Sequence, residues 1–318
     1  MLPVREKVDK KVLWNVNKEI KKKMKLFLHI KRWIKKQIPD KIYLSYIYWR
    51  HLGSGINWNH PQTFTEKLQW LKVYDFKPEY TKLVDKLAVK DIVGNIIGFD
   101  YIIPTIGVWD RAEDIEWEKL PNQFVLKTTH GGGSFGVVIC KDKSKFDFIE
   151  AKKKLSVAML DDIGYEYRER PYINVPHRII AEKYLPSLVG IEQEVTEIKD
   201  YKFFCFSGKV KFFKIDFGRF TEHHANYYDT NGCLLPFGEK GLEPDPQHIE
   251  DIPEKLGEMI EIAERLSNNK RFLRVDLYYL EGRIFFGEIT FYPAAGLGLL
   301  TPDEWNIKVG DMINTTIL

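Results

Sequence analysis

Arg274-Val-Asp-Leu-Tyr-Tyr-Leu-Glu-Gly-Arg-Ile-Phe-Phe-Gly-Glu-Ile-Thr-Phe-Tyr-Pro293 reads as two strands joined by the two-residue turn Glu281-Gly282. Side chains alternate between the faces of a strand, and such a hairpin can bring Asp276 and Glu288 together. Converging carboxylates are the hard oxygen donors that magnesium prefers, and magnesium completes its shell with water and nucleotide phosphates. Ion pairing with Arg274 or Arg283 would account for the same carboxylates without a metal.

Outward from this hairpin the chain keeps the same texture. Strands are expected at Tyr101–Trp109, Phe124–Lys127, Val137–Cys140, Arg178–Tyr184, Tyr201–Phe206 and Lys209–Asp216, with a second tight turn at Ser207-Gly208. Helices are expected from the Thr63 or Thr65 cap onward, at about Glu79 to Val93, at Asp147–Met159 and at Pro253–Leu266. The predicted class is α+β, rich in antiparallel hairpins, without an internal repeat. Trp70 and Tyr74 read as core aromatics rather than a sugar platform.

The 318 residues, 44% apolar and 14% aromatic, can bury a sizeable core. Cys140, Cys205 and Cys233 lack metal or disulfide spacing, which points to a reducing cytoplasm. No apolar run suits a bilayer span or a signal peptide, and a nucleic-acid partner is not expected. The net charge is only +3, yet Lys7, Lys10, Lys11, Lys18, Lys21–Lys23, Lys25, Lys31, Arg32, Lys35 and Lys36 crowd the first forty residues. Apolar residues interleave at helical spacing, so this head can lie on the inner face of an anionic membrane or pack on its own domain.

Lys127 ends a short apolar strand just before Gly131-Gly132-Gly133-Ser134-Phe135-Gly136, so its ammonium and the loop's unobstructed amides can meet one phosphate group. The loop is not a Walker A sequence, because no Gly-Lys-Ser or Gly-Lys-Thr follows. It also mimics a lipase oxyanion motif and a nucleophile elbow, but those elements overlap here and a strand-like Val137-Val-Ile follows where an elbow opens a helix.

Together, Asp85-Lys86, Phe124-Val-Leu-Lys127 with His130-Gly-Gly-Gly-Ser-Phe-Gly136, Ile180-Ala-Glu182, Asp200-Tyr-Lys-Phe-Phe-Cys-Phe-Ser-Gly-Lys209, Asp276 and Gly287-Glu-Ile-Thr-Phe-Tyr-Pro293 resemble the TupA-like ATP-grasp proteins of polysaccharide gene clusters. The resemblance spans roughly residues 55–310 and leaves the basic head outside it. It implies an ATP-grasp fold, two α+β lobes sandwiching ATP, after a basic helical extension. The implied division is 1–55 extension, 56–125 first region, 126–185 glycine-lid subdomain and 186–318 catalytic lobe.

The same resemblance implies phosphate binding by Lys86 and Lys127 under the lid Gly131, Gly132, Gly133 and Ser134. It puts Glu182 at adenine and ribose, Lys202 on the phosphate side, and Asp276 and Glu288 on Mg2+. Thr290 stands where the wider superfamily usually has an asparagine as a third metal ligand. Arg274 is the choice for an acyl oxyanion, with an ion pair to Asp276 as its alternative. The expected reaction is ATP- and Mg2+-dependent joining of an amine or amino acid to a carboxylate, on a uronic-acid-containing surface polysaccharide or its precursor. The alternatives are a glycosyltransferase, disfavoured by the lack of Asp-x-Asp, an ATP-grasp sugar kinase, and a non-catalytic nucleotide-binding scaffold. Arg219, His223 and His224, in a polar insertion, are candidates for receiving the acceptor; a His pair without a third ligand does not make a zinc site.

Overall fold

The computed structural model describes residue 33 and residues 35–185, 199–218 and 222–316. Most of the basic head and Arg219 therefore lie outside the described residues.

The first helix, α1 (Asp40–Leu52), turns Tyr43, Leu44, Ile47 and Tyr48 inward. In α2 (Phe64–Tyr74) Thr63 and Glu66 form a reciprocal capping box, and Glu66 also takes the amides of Asn57 and Gln62. The single helix expected over residues 79–93 is two: α3 (Tyr80–Val84) and α4 (Ala88–Ile97). Asp85 makes the break. Its backbone turns extended, and its carboxylate caps the amides of Leu87 and Ala88.

Four antiparallel strands form one sheet in the order β1-β4-β2-β3: β1 (Thr105–Trp109), β2 (Phe124–Thr128), β3 (Val137–Cys140) and β4 (Ile179–Lys183). The face bearing Phe124, Leu126, Cys140, Ile179 and Ala181 packs with Leu155 of α5 (Phe148–Ala158), whose amides are capped by Asp147. Lys127 and Glu182 belong to the opposite face. Two short helices, α6 (Ile163–Glu166) and α7 (Arg170–Ile173), lead into β4.

The larger sheet runs β10-β9-β5-β6-β7 and is antiparallel throughout: β5 (Asp200–Phe206), β6 (Lys209–Phe217), β7 (His224–Asp229), β9 (Phe272–Leu280) and β10 (Arg283–Thr290). Both tight turns have the positive φ pairs of primed hairpins: 50° and 79° at Ser207-Gly208, 50° and 72° at Glu281-Gly282. Phe203, Phe213, Tyr228, Val275 and Ile289 share one face, and α8 (Leu256–Ser267) covers it with Met259, Ile262, Ala263 and Leu266. Each fully buried side chain of this kind contributes about 1.5–3 kcal/mol. Trp70 joins this core, while Tyr74 stays more than a third exposed.

The polar insertion is shorter than its sequence suggests. β6 continues to Phe217, and His224 is already a strand residue paired with it. A two-stranded ribbon of β8 (Gly238–Glu239) and β11 (Leu300–Thr301), followed by α9 (Glu304–Gly310), completes the described fold. The sequence offers no periodicity long enough to announce these short elements.

Candidate functional site

Across the face of the larger sheet opposite α8, Glu288, Asp276, Lys202, Lys214 and Tyr227 lie side by side in register on β10, β9, β5, β6 and β7. A β-bulge puts Glu288 there. From Arg283↔Leu280 to Phe286↔Leu277 the hairpin is regular; Gly287 is then extra, and Glu288 pairs with Asp276. Without the bulge, Glu288 would sit opposite Val275 on the core face. The position is tight: a Cβ on Gly287 would stand 3.0 Å from the Asp276 carbonyl oxygen and 3.1 Å from the Tyr278 ring.

Arg274 grips both carboxylates. It donates from Nε and Nη2 to Asp276 at 2.7 and 2.6 Å, and from Nη2 to Glu288 at 3.2 Å and to the Thr290 hydroxyl at 3.1 Å. Its Nη1 takes no part in these bonds. The ion-pair alternative for Arg274 is thus realised in this arrangement, with one edge of the fork outside it.

The two carboxylates differ in environment. Burial opposes ionisation at Glu288, yet Lys86, Arg274, Lys202 and Lys127 together hold it down to about 2. Asp276 is raised to about 7 by burial, with Asp200 and Glu288 nearby, against the pull of Arg274 and Lys202. The bidentate contact with Arg274 favours the ionised pair at Asp276 despite that upward push. Among the described residues no group of three or more His, Cys, Asp or Glu is arranged to hold a metal. Two carboxylates do fit magnesium that arrives with phosphate oxygens, as that ion needs only one or two from the protein.

The break at Asp85 delivers Lys86 to this centre. The Lys86 ammonium donates to the Gly131 carbonyl and lies 3.6 Å from Glu288. It therefore joins the glycine turn to the paired carboxylates. The turn itself closes β2 onto β3, with the Thr128 amide on the Gly136 carbonyl at 3.1 Å. The buried Thr128 hydroxyl has no hydrogen-bond partner and sits under the turn, 2.4 and 2.2 Å from where Cβ atoms of Gly131 and Gly136 would be. Only glycine fits at those two positions without a shift. Gly133 needs its freedom for a different reason, a φ of 59°, and Ser134 is exposed at the tip. A strand follows, so the esterase context is absent.

Lys127 points from β2 to Glu182 at 2.7 Å, and Lys90 of α4 reaches the other oxygen at 2.6 Å. Burial works against both charges here, but Glu182 raises Lys127, while the two lysines lower Glu182. Glu182 thus anchors two buried ammonium groups. The next residues, Lys183, Tyr184 and Leu185, line a cavity of about 420 Å³ with Phe99, Leu280 and Phe285.

Lys202 bonds Asp200 at 2.6 Å and also Asp216. Lys214 approaches Asp216 at 3.5 Å and Glu239 at 3.1 Å, and His223 meets Asp216 at 3.2 Å. His224 bonds the Glu243 carbonyl instead. Lys90, Lys214, Asp216 and Glu239 were absent from the sequence-based set. Lys214 and Asp216 were legible in principle, since they alternate on a strand next to Lys202; Lys90 and Glu239 carry no local signal.

A family model described as TupA-like ATPgrasp matches residues 66–314. The chain belongs to the TupA-like ATP-grasp family. Its α+β architecture is that of the ATP-grasp fold. No curated protein matches the chain. Among solved structures it is similar to a D-alanine–D-alanine ligase from Helicobacter pylori, at 13% identity and TM-score 0.40 over 74% of this chain and 59% of that one. A D-alanyl-alanine synthetase A from Vibrio cholerae gives 13% and 0.40 over 73% and 58%. A RimK domain ATP-grasp protein from Sphaerobacter thermophilus gives 13% and 0.37 over 74% and 67%. The chain thus spans less than two thirds of the length of the first two, and none is similar enough to transfer a substrate or a residue role.

Proposed function

We propose that this TupA-like ATP-grasp protein is an ATP- and Mg2+-dependent carboxylate–amine ligase. The observation that carries the reading is the convergence of Asp276 and Glu288 with the glycine turn through Lys86, which the break between α3 and α4 presents to both. Asp276 and Glu288, with the Thr290 hydroxyl, would hold magnesium, which supplies charge neutralisation at the triphosphate when bound. Lys86, Lys127 and the turn of Gly131, Gly132, Gly133 and Ser134 bind phosphate oxygens. The cavity beside Lys183–Leu185 takes the adenine, with Glu182 holding Lys127 in place. On this reading residues 56–125, 126–185 and 186–318 act as the three working parts, and 1–55 as an extension.

A carboxylate oxygen of the acceptor attacks the γ-phosphorus and ADP leaves. An amine then attacks the acyl carbon, losing a proton, and phosphate leaves. The protein's share is positioning and charge stabilisation. Lys202 faces the phosphates, and Arg274 keeps Nη1 for the acyl oxyanion. On this reading the acceptor is a uronic acid of a surface saccharide, with an amino acid as co-substrate, the class that the resemblance to proteins of polysaccharide gene clusters suggests. We place the reaction in the cytoplasm, at the inner membrane face that the head of residues 1–40 suits. Among the described residues no helix is long and apolar enough to cross a membrane.

The test is release of ADP and phosphate from ATP with uronic acids and amino acids, with the product identified by mass spectrometry. An amide supports the ligase. A phosphorylated sugar without amide identifies a kinase, a new glycoside without ATP use a glycosyltransferase, and tight ATP binding without turnover on any acceptor a scaffold.

A further inference from the structure

The helix α1 is firmly seated on one side and unusually apolar on the other. Inward, the Tyr48 hydroxyl meets that of Thr65 at 2.9 Å, Tyr43 donates to the Glu166 carbonyl at 3.1 Å, and the Arg168 guanidinium lies 4.3 Å from the Tyr43 ring. Outward, Ile42, Tyr46 and Trp49 are 63%, 52% and 61% exposed. Their spacing of four and three residues makes one stripe. Lys41, its ammonium 4.9 Å from the exposed Tyr74 ring, and Arg50 are the exposed cations on its flanks, whereas His51 is turned back to the Ile47 carbonyl and Asp40, the helix's acid, to Arg168 and Arg170. Trp33, just upstream, is 64% exposed.

Three large apolar side chains in one exposed stripe, flanked by positive charge on a packed helix, have the make-up of an interaction surface. Its charge selects the occupant. Residues 1–39 carry thirteen Lys and Arg against three Asp and Glu, so that segment is repelled by the Lys41 and Arg50 rim. A second copy of the same cationic face is repelled likewise. A bilayer with anionic headgroups satisfies both features, because Trp and Tyr favour the interface, aliphatic groups enter it, and each Lys or Arg near it adds attraction. Nucleic acid would satisfy the charge and leave Ile42 without apolar surroundings.

We propose that the outward face of α1 is a membrane-docking surface: Ile42, Tyr46 and Trp49 enter the headgroup–acyl boundary of an anionic bilayer while Lys41 and Arg50 meet lipid phosphates. It rests on the reading of residues 1–40 as a membrane contact and adds to it a folded wedge that fixes how the enzyme sits on the surface. Charge alone would hold the chain at any orientation; the stripe gives one.

The full chain is sedimented with phosphatidylcholine vesicles with and without phosphatidylglycerol. Its variants are Ile42→Ser/Tyr46→Ser/Trp49→Ser, Lys41→Glu/Arg50→Glu and, in the head, Lys21→Glu/Lys22→Glu/Lys23→Glu. The expected result is binding to anionic vesicles alone, weakened at least tenfold in the stripe variant, whose thermal midpoint and MgATP binding match the wild type. Should the triple serine variant not fold, the Lys41/Arg50 reversal carries the same expectation. Loss in the head variant with full binding by both α1 variants would leave the head reading standing and overturn the stripe. No vesicle binding by the wild type would overturn both. A dimer in light scattering that the stripe variant dissolves would assign the surface to a second copy and overturn the proposal.

Discussion

Lys86 touches the two halves of the candidate site at once, through the Gly131 carbonyl and Glu288. Nothing in its immediate sequence predicts this; only the family resemblance points to Lys86, and apolar periodicity predicts continuous helix across the break that presents it. Asp85 caps are a side-chain choice that periodicity does not see. Hydrogen bonds to charged groups are worth about 1.5–3 kcal/mol, or about ten- to a hundredfold in affinity. Lys86→Met should therefore raise the Kd for ATP at least tenfold in calorimetry, with little change in melting temperature. His130 is a different case. Burial, its stacking partner His177 at 3.5 Å and nearby Lys86 lower it from 6.5 to about 4, so it is neutral in the fold. Below about pH 6.5 the unfolded chain takes a proton that the fold refuses, so stability falls with pH until about pH 4. Urea unfolding should lose about 2 kcal/mol from this group between about pH 7.5 and pH 5. His130→Gln should flatten that part of the slope; an unchanged slope would assign it elsewhere.

At the scale of the element, strand alternation and the Glu281-Gly282 turn were enough to foresee the β9–β10 hairpin. They were not enough to put Glu288 and Asp276 on one face, because a regular hairpin from that turn would turn Glu288 into the core. The bulge at Gly287 supplies the missing residue, and its only sequence mark is a glycine within a strand. Gly287→Ala should keep the fold and weaken magnesium-dependent ATP binding, since the new Cβ presses on the Asp276 carbonyl. ATP binding at wild-type strength would show that the bulge tolerates a side chain. The glycine turn was legible as a hairpin tip, but the reason for its glycines lay in Thr128 beneath. Gly136→Ala should cost about 1–3 kcal/mol of stability by overpacking against that hydroxyl, and Gly136→Ala/Thr128→Ala should recover much of it in thermal melts.

For the whole molecule, the ordered motifs from Asp85 to Pro293 carried the family and the α+β class, because many weak signals in a fixed order constrain more than any one of them. Long-range chemistry stayed hidden. The Lys90–Glu182–Lys127 clamp joins α4, β4 and β2, and Glu239 comes to Lys214 from a two-residue strand, neither of which any local pattern records. On the proposed reading the pair Glu288–Asp276, served by Lys86 and the glycine turn, receives a magnesium nucleotide. Calorimetric titration with ATP in magnesium and in excess chelator, for the wild type and for Asp276→Asn/Glu288→Gln with matching circular dichroism, tests it most directly. The wild type should bind more tightly with magnesium and the variant should lose that increment; the same increment in both proteins would contradict a magnesium-nucleotide role for the two carboxylates.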